Sequence, residues 1–311
     1  MIVEMLSCTI QFKTEAVIIS LIVCMIERFV VNMFTAPVNK ILPLSVVDGP
    51  GNRVSIFFQG CNIHCAYCHN PETQKICIAC GECVKGCPES ALSVKAGQIH
   101  WNKAKCVQCD QCITICRHFA SPRVVMMNTE QVFYEIKKSI PFIRGITVSG
   151  GECMLYPEFL TELFHIVKQQ SLTCLIDSNG MVDFSKYPVL VELCDGVMLD
   201  VKSWDNSVYT ALTDFDNQIV KQNLAYLSAH NKLAEVRIVC LEGEVDSKAT
   251  IDGIAQTIGF PAVQNLLLKL IKFRKFGVKG RLSDFPAPDM KYMSELSDYA
   301  TKRGFCRVLI V

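Results

Sequence analysis

An α/β fold built on a parallel sheet, open as an incomplete barrel of six strand–helix units, is the class this sequence predicts. Three observations predict it. From Thr129 onward, short apolar runs of strand length alternate with helical stretches, the pattern of βαβ units. Upstream, Arg53–Gln59 (RVSIFFQ) reads as a buried strand that runs directly into cysteines. Between them, residues 72–123 lose the alternation and carry eight cysteines among small and polar residues, an insertion built around metal.

The elements follow in order. Thr129–Ile140 reads as a helix with Thr129 as its N-cap. Ile146–Ser149 is a strand, Pro157–Gln170 a helix, Leu172–Asp177 a strand and Gly196–Val201 another. Asn217–His230 is a helix, Ala234–Cys240 a strand, Ser247–Ile258 a helix and Asn265–Ile271 a strand. Asp289–Arg303 is a helix and Arg307–Val311 a last short strand. The predicted domains are 33–71 with 124–311, and the insertion at 72–123. Residues 1–32 read as an extension upstream of a working start at Met33, or as a buried or interfacial helix. Their apolar run Ala16–Ile26 has 11 residues between Glu15 and Glu27, against about 20 for a membrane span. No membrane association is expected.

The chain has 311 residues with 31 basic and 30 acidic side chains. A net charge of +1 makes no electrostatic case for nucleic acid. Half of the residues are apolar, which is enough for a sizeable core. Of 18 cysteines, eleven lie between residues 61 and 116. Clustered thiols in a long chain point to metal in a reducing, cytoplasmic compartment rather than to a disulfide framework. The seven solitary ones (Cys8, Cys24, Cys153, Cys174, Cys194, Cys240, Cys306) read as small buried hydrophobes.

Cys61-x3-Cys65-x2-Cys68 can wrap one face of an iron–sulfur cubane and leave the fourth iron open, as a catalytic centre requires. His64 and His69 offer a weaker zinc alternative. Cys77-x2-Cys80-x2-Cys83-x3-Cys87 and Cys106-x2-Cys109-x2-Cys112-x3-Cys116 form the two-cluster ferredoxin run, in which the fourth cysteine of each run serves the other cluster. This assigns one 4Fe–4S cluster to Cys77, Cys80, Cys83 and Cys116, and another to Cys106, Cys109, Cys112 and Cys87. Arg117 stands where the first run has Pro88, and a cation there would raise a cluster's potential. Ser149-Gly150-Gly151-Glu152 follows a strand; its glycines allow close backbone approach and its carboxylate can receive an ammonium group. Asp177, Asp200 and Lys202 fall at C-terminal strand ends, where α/β folds bind ligands. Lys269–Arg281 has six basic residues and no acidic one. It reads as a solvated face, or as a dock for an acidic partner or an anionic cofactor group.

Together these residues resemble a known family. Cys61-x3-Cys65-x2-Cys68 is similar to the radical S-adenosylmethionine (SAM) motif. Val47-Asp48-Gly49-Pro50-Gly51 with Arg53, Gln59-Gly60-Cys61 and Cys68-His69-Asn70-Pro71 resemble the glycyl radical enzyme activases, the pyruvate formate-lyase-activating enzyme family. The insertion, with LIDSNG and LDVK, is closest to the YjjW-type branch. The resemblance implies a partial (β/α)6 radical SAM barrel with an inserted two-cluster ferredoxin-like domain, three 4Fe–4S clusters and SAM. It implies Cys61, Cys65 and Cys68 as the catalytic cluster ligands. Tyr67 and His69 would lie by the adenine, and Gly150, Gly151 and Glu152 by the methionine amino group. Asp177, Asp200 and Lys202 would lie near the methionine carboxylate, where some activases also bind a monovalent cation. Arg274 stands where the family often has a SAM-contacting histidine, and Arg237–Gly243 lacks the proline usual on the fifth strand. The implied partners are a glycyl radical enzyme and a flavodoxin or ferredoxin donor. The alternatives are a radical SAM enzyme acting on a small molecule, or a polyferredoxin-type carrier. A carrier needs neither the x3 spacing nor the strand-end carboxylates.

Overall fold

The computed structural model describes residues 34–311; the 1–32 extension, with Cys8 and Cys24, lies outside the described residues. Strand β1 (Thr35–Ser45) leads to β2 (Arg53–Phe58). The cysteine-rich tract holds helix α1 (Glu82–Lys85), the hairpin β3 (Leu92–Lys95) and β4 (Gln98–Trp101), and helix α2 (Gln111–Ile115). Strand β5 (Val125–Asn128) and α3 (Thr129–Lys137) return the chain to the main sheet. Then follow β6 (Gly145–Gly150), α4 (Pro157–Lys168), β7 (Thr173–Ser178), α5 (Pro188–Leu193), β8 (Gly196–Asp200), α6 (Asn206–Thr213) and α7 (Gln218–Ala229). The chain ends with β9 (Leu233–Cys240), α8 (Ser247–Ile258), α9 (Ala262–Asn265), β10 (Leu267–Lys272), α10 (Met290–Lys302) and β11 (Arg307–Ile310).

The main sheet has nine strands in the order β11-β10-β9-β8-β7-β6-β2-β1-β5. From β2 to β11 every neighbouring pair is parallel; β1 runs antiparallel to both β2 and β5. The sheet is therefore open, with β5 and β11 at its edges. The sequence pattern missed β1 and β5. β1 carries Pro37 and Pro43 and no alternation, and β5 is four residues long, so both are made by pairing rather than by local pattern. It also misplaced the cap of α3. Asn128 is the N-cap, accepting from Gln131 N–H at 2.9 Å, while the Gln131 side chain accepts from Asn128 N–H at 2.9 Å.

Successive side chains alternate across a strand, and here the two faces differ in chemistry. Outward-facing Val54, Ile56, Ile146, Val148, Cys174 and Ile176 pack with Val132 of α3 and Phe159, Leu163 and Phe164 of α4. Val236, Ile238, Leu268 and Leu270 do the same against Ile251 of α8 and Met293 of α10. Burying each large side chain stabilises the fold by about 1.5–3 kcal/mol. The opposite face is polar. Arg53 donates to Thr147 Oγ1 at 2.8 Å, Ser149 to Asp177 at 2.9 Å, and Arg237 to Asp177 at 2.9 Å. Arg237 and Lys269 both pair with Glu235. The Asp177–Arg237 contact passes from β7 to β9 over β8, and Arg237 Nη2 meets Met198 of β8 on the way.

Of the solitary cysteines in the described region, Cys153, Cys174, Cys194 and Cys240 are buried, while Cys306 is exposed at the start of β11, against expectation. Among the described residues no helix is long and apolar enough to cross a membrane.

Candidate active site

The loop after β2 carries Cys61, Cys65 and Cys68 and is tied to the fold along its length. Gly60 N–H donates to Thr73 O at 2.8 Å and Cys61 N–H to Gln74 O at 2.9 Å. His64 and Ala66 N–H donate to Thr213 O (3.2 Å) and Leu212 O (2.8 Å) at the end of α6. The fully buried Gln59 side chain donates to Glu72 O and Lys75 O, both at 2.6 Å, and accepts from Asn39 at 2.6 Å. Beneath the loop Tyr67 packs with Leu212, Leu241 and Phe273.

The three thiols feel one another and their burial. Burial pushes Cys61 up to about 12 and Cys65 up to about 11, and Cys68 also rises. Lys202 opposes this at Cys65 and Cys68, and hydrogen bonds from the Ile63 and Asn70 backbones and the Gln74 side chain oppose it at Cys61 and Cys68. Lys202, 6% exposed, faces the Cys65 thiol, sits 5.6 Å from the Tyr67 ring and pairs with Asp200 at 3.1 Å. Asn179 Nδ2 donates to Cys61 Sγ at 3.6 Å and to Asn62 Oδ1 at 2.9 Å. A cation and an N–H aimed at sulfur suit thiolates that carry charge. The donor set therefore fits an iron–sulfur cluster, whose assembly releases the thiol protons. The sequence reading missed Asn179, although it lies two residues after Asp177 in LIDSNG.

Gly150, Gly151 and Glu152 abut this loop, and the packing around them constrains all three. A Cβ at Gly151 would lie 2.1 Å from Gly60 O, and one at Gly150 2.2 Å from Phe58 N. The glycines are needed because the end of β2 passes Gly150 and the backbone of Gly60 in the cysteine loop passes Gly151. Glu152, 1% exposed, accepts from Met154 N–H (3.0 Å), Ser178 Oγ–H (2.9 Å) and Asn179 N–H (2.7 Å). Burial still holds its carboxyl up to about 7. The side chain ties the turn after β6 to the end of β7. Asp177 is raised by burial and opposed by Arg237. Asp177 and Asp200 are thus each matched by a cation of this chain, Arg237 and Lys202.

His69 Nε2 lies 2.7 Å from the carbonyl of Arg274, and its ring is 6.3 Å from that of Phe273. Arg274 thus meets the site through its backbone, and its side chain is exposed. The basic run is not one solvated face. Lys269 points inward to Glu235 at 2.9 Å, Arg281 pairs with Glu244 at 2.8 Å, and Lys279 donates to Ile113 O (3.3 Å) and Cys116 O (3.4 Å) in the insertion.

In the insertion, Cys77, Cys80, Cys83 and Cys116 line one cavity. Cys87, Cys106, Cys109 and Cys112 line another. The two halves repeat in conformation. Left-handed residues occur two, four and thirteen positions after the first cysteine of each run: Ala79, Gly81 and Ser90, then Gln108, Asp110 and Phe119. Each run thus bends the same way around its cavity. Among the described residues no three His, Cys, Asp or Glu side chains converge on a single ion; these thiols surround space instead. Arg117 is exposed and faces Glu82 at 3.7 Å, so it does not press on a cavity as the sequence suggested.

Residues 55–252 match the Radical SAM superfamily, which sets the class. The chain is 30% identical over 299 residues to a putative glycyl-radical enzyme activating enzyme of Haemophilus influenzae, covering 88% of this chain and 96% of that one. It is 28% identical over 301 residues to the indoleacetate decarboxylase activating enzyme of Tractidigestivibacter scatoligenes, covering 86% and 95%. Escherichia coli QueE shares the fold, with a TM-score of 0.53 at 12% identity over 92% of this chain and 97% of that one. The chain belongs to the radical SAM superfamily and, within it, to the glycyl-radical enzyme activating enzymes.

Proposed function

We propose that Cys61, Cys65 and Cys68 hold a 4Fe–4S cluster with one open iron, and that SAM binds across the polar strand ends beside it. The observation that carries this is the loop after β2. It presents three thiols beside Lys202, Asn179 and the Gly150–Glu152 turn, at the C-terminal edge of the parallel strands. A cluster held by Cys61, Cys65 and Cys68 would, when bound, supply one electron for reductive cleavage of SAM to methionine and a 5′-deoxyadenosyl radical able to take a hydrogen atom from a backbone glycine of the partner enzyme, giving 5′-deoxyadenosine and a glycyl radical.

The chain's own residues position and shield. Tyr67 and Phe273 wall the cluster loop, and His69 lies at the adenine side. The Gly150–Gly151 backbone receives the methionine amino group, with Glu152 fixing that turn. Lys202 and Arg237 balance the charge of Asp177 and Asp200 near the carboxylate, so this site needs no added monovalent cation. The insertion, residues 72–123 between the barrel segments 33–71 and 124–311, carries two further 4Fe–4S clusters on the crossed cysteine sets. They pass electrons inward from flavodoxin or ferredoxin. The crossed lining of the two cavities supports this reading.

EPR of the reduced, iron-reconstituted chain tests the SAM site. SAM is expected to change one cluster's signal, and Cys65→Ser to abolish both that signal and its response. A response that survives Cys65→Ser would overturn the assignment. Activation itself is tested with a panel of glycyl radical enzymes, indoleacetate decarboxylase among them. A glycine-centred radical on one of them is the expected result. SAM cleavage that leaves every partner untouched while consuming a small molecule would favour the other radical SAM reading.

A further inference from the structure

The insertion is tied to the SAM-site loop from two directions, and both ties reach the same cavity. The first runs along the chain. Gln59, directly after β2, donates to Lys75 O at 2.6 Å, and Cys61 N–H donates to Gln74 O at 2.9 Å. Lys75 N–H donates in turn to Phe119 O at 2.9 Å, three residues past Cys116. The second comes from the loop after β10. Lys279 donates to Ile113 O at 3.3 Å and Cys116 O at 3.4 Å, and its ammonium sits 5.6 Å from the Phe119 ring. The loop that carries Lys279 is itself fixed to the SAM site. Arg274 O lies 2.7 Å from His69 Nε2, a Cβ at Gly277 would lie 2.3 Å from His69 O, and Phe273 and Val278 pack with Tyr67.

Both ties end at the cavity of Cys77, Cys80, Cys83 and Cys116: Cys77 follows Lys75 by two residues, and Cys116 supplies an acceptor to Lys279. Around the cavity of Cys87, Cys106, Cys109 and Cys112, the hydrogen bonds among the described residues stay within the insertion, as from Arg123 to Asp110 at 2.6 Å. Cys80 and Cys109 are both exposed, so exposure does not rank the two cavities and the ties do. Electron tunnelling falls off exponentially with separation, so the cysteine set fixed against the SAM loop is the one placed to deliver. We propose that Cys77, Cys80, Cys83 and Cys116 hold the cluster that makes the last hand-off to the SAM site. The set Cys87, Cys106, Cys109 and Cys112 stands one step further out, and Lys279 is a positioning residue that holds the seam between insertion and site. One electron from the donor takes the inner cluster from the 2+ to the 1+ state, and its passage to the SAM-site cluster restores the 2+ state. This rests on the three-cluster reading above.

The test is the relaxation of the SAM-responsive EPR signal in the fully reduced, reconstituted full chain, because a second unpaired spin close by speeds it. Cys109→Ala is expected to keep the fast relaxation and Cys80→Ala to lose it, each holding about eight irons against about twelve in the wild type. Lys279→Met leaves every cysteine in place. It is expected to keep its iron, to slow that relaxation, and to slow several-fold the rise of the SAM-site signal after mixing with reduced flavodoxin or ferredoxin. Lys279→Arg keeps both near the wild type. Where one kind of variant loses further iron, the other carries the test. Equal relaxation in the two cysteine variants, or the reverse order, would overturn the hand-off, and a Lys279→Met chain that behaves as the wild type would overturn the role of Lys279. A wild-type chain with about four irons and no signal beyond that of the SAM site would instead sink the three-cluster reading itself.

Discussion

The two cysteine regions of this chain are held in opposite ways. The loop of Cys61, Cys65 and Cys68 is sewn to the fold by backbone hydrogen bonds to residues 73, 74, 212 and 213, and is floored by Phe273 and Leu212. The insertion has a two-stranded hairpin, helices of four and five residues, and few buried side chains, among them Cys83, Ala91, Leu92 and Ala120. An isolated two-stranded hairpin is marginal in water, and so small an apolar core cannot offset the entropy of ordering the segment. On the proposed three-cluster reading, the first site is shaped before its cofactor arrives, and the insertion is expected to need its metal in order to fold.

The largest effect is expected at the preformed site. Cys65→Ser should remove 5′-deoxyadenosine formation altogether while the chain keeps its thermal stability, because the loop's ties do not involve that thiol. Chelating the iron sharpens the contrast. Limited proteolysis of the metal-free chain should cut within residues 77–118 and spare the strands and helices from Thr129 onward. Reconstitution should restore protection.

Next in size is Glu152, the clamp between the two strand ends. Glu152→Ala leaves three buried donors without an acceptor, at about 1–3 kcal/mol each, and should lower Tm. Its pH signature is specific. With its carboxyl raised from 4.5 to about 7, the folded chain keeps a proton that the unfolded chain has already released. This contribution therefore lowers stability as pH rises from 4.5 to 7, by about 3 kcal/mol in total, and is flat above. Denaturation of Glu152→Gln across that window should lack this part of the slope. Cys80→Ala is expected to slow activation several-fold with a protein donor, because on the proposed relay its cluster would deliver electrons rather than perform the cleavage. Wild-type rates would break the relay. Arg274→Ala should change the KM for SAM least, within about twofold, because the side chain is exposed and the His69 contact uses its backbone.

The parallel strands were legible because their outward faces alternate with polar residues. The strand-end residues were legible because a strand's end follows from its length. What they touch was not. The reach of Arg237 to Asp177 over β8 depends on the strand order of the sheet. The crowding of Gly150 depends on where the Phe58 backbone passes, and that of Gly151 on the Gly60 backbone, which no spacing within SGGE reveals. Trp101 and Arg123 line the cavity of Cys106 from a hairpin and from a segment seven residues past Cys116, beyond the reach of a cysteine count.

The most direct measurement is iron content and 5′-deoxyadenosine together, on the anaerobically reconstituted chain with SAM and dithionite. About twelve irons per chain with 5′-deoxyadenosine formed is the predicted result. About eight irons and no 5′-deoxyadenosine would contradict it, leaving the Cys61–Cys68 loop without a catalytic cluster and the chain an electron carrier.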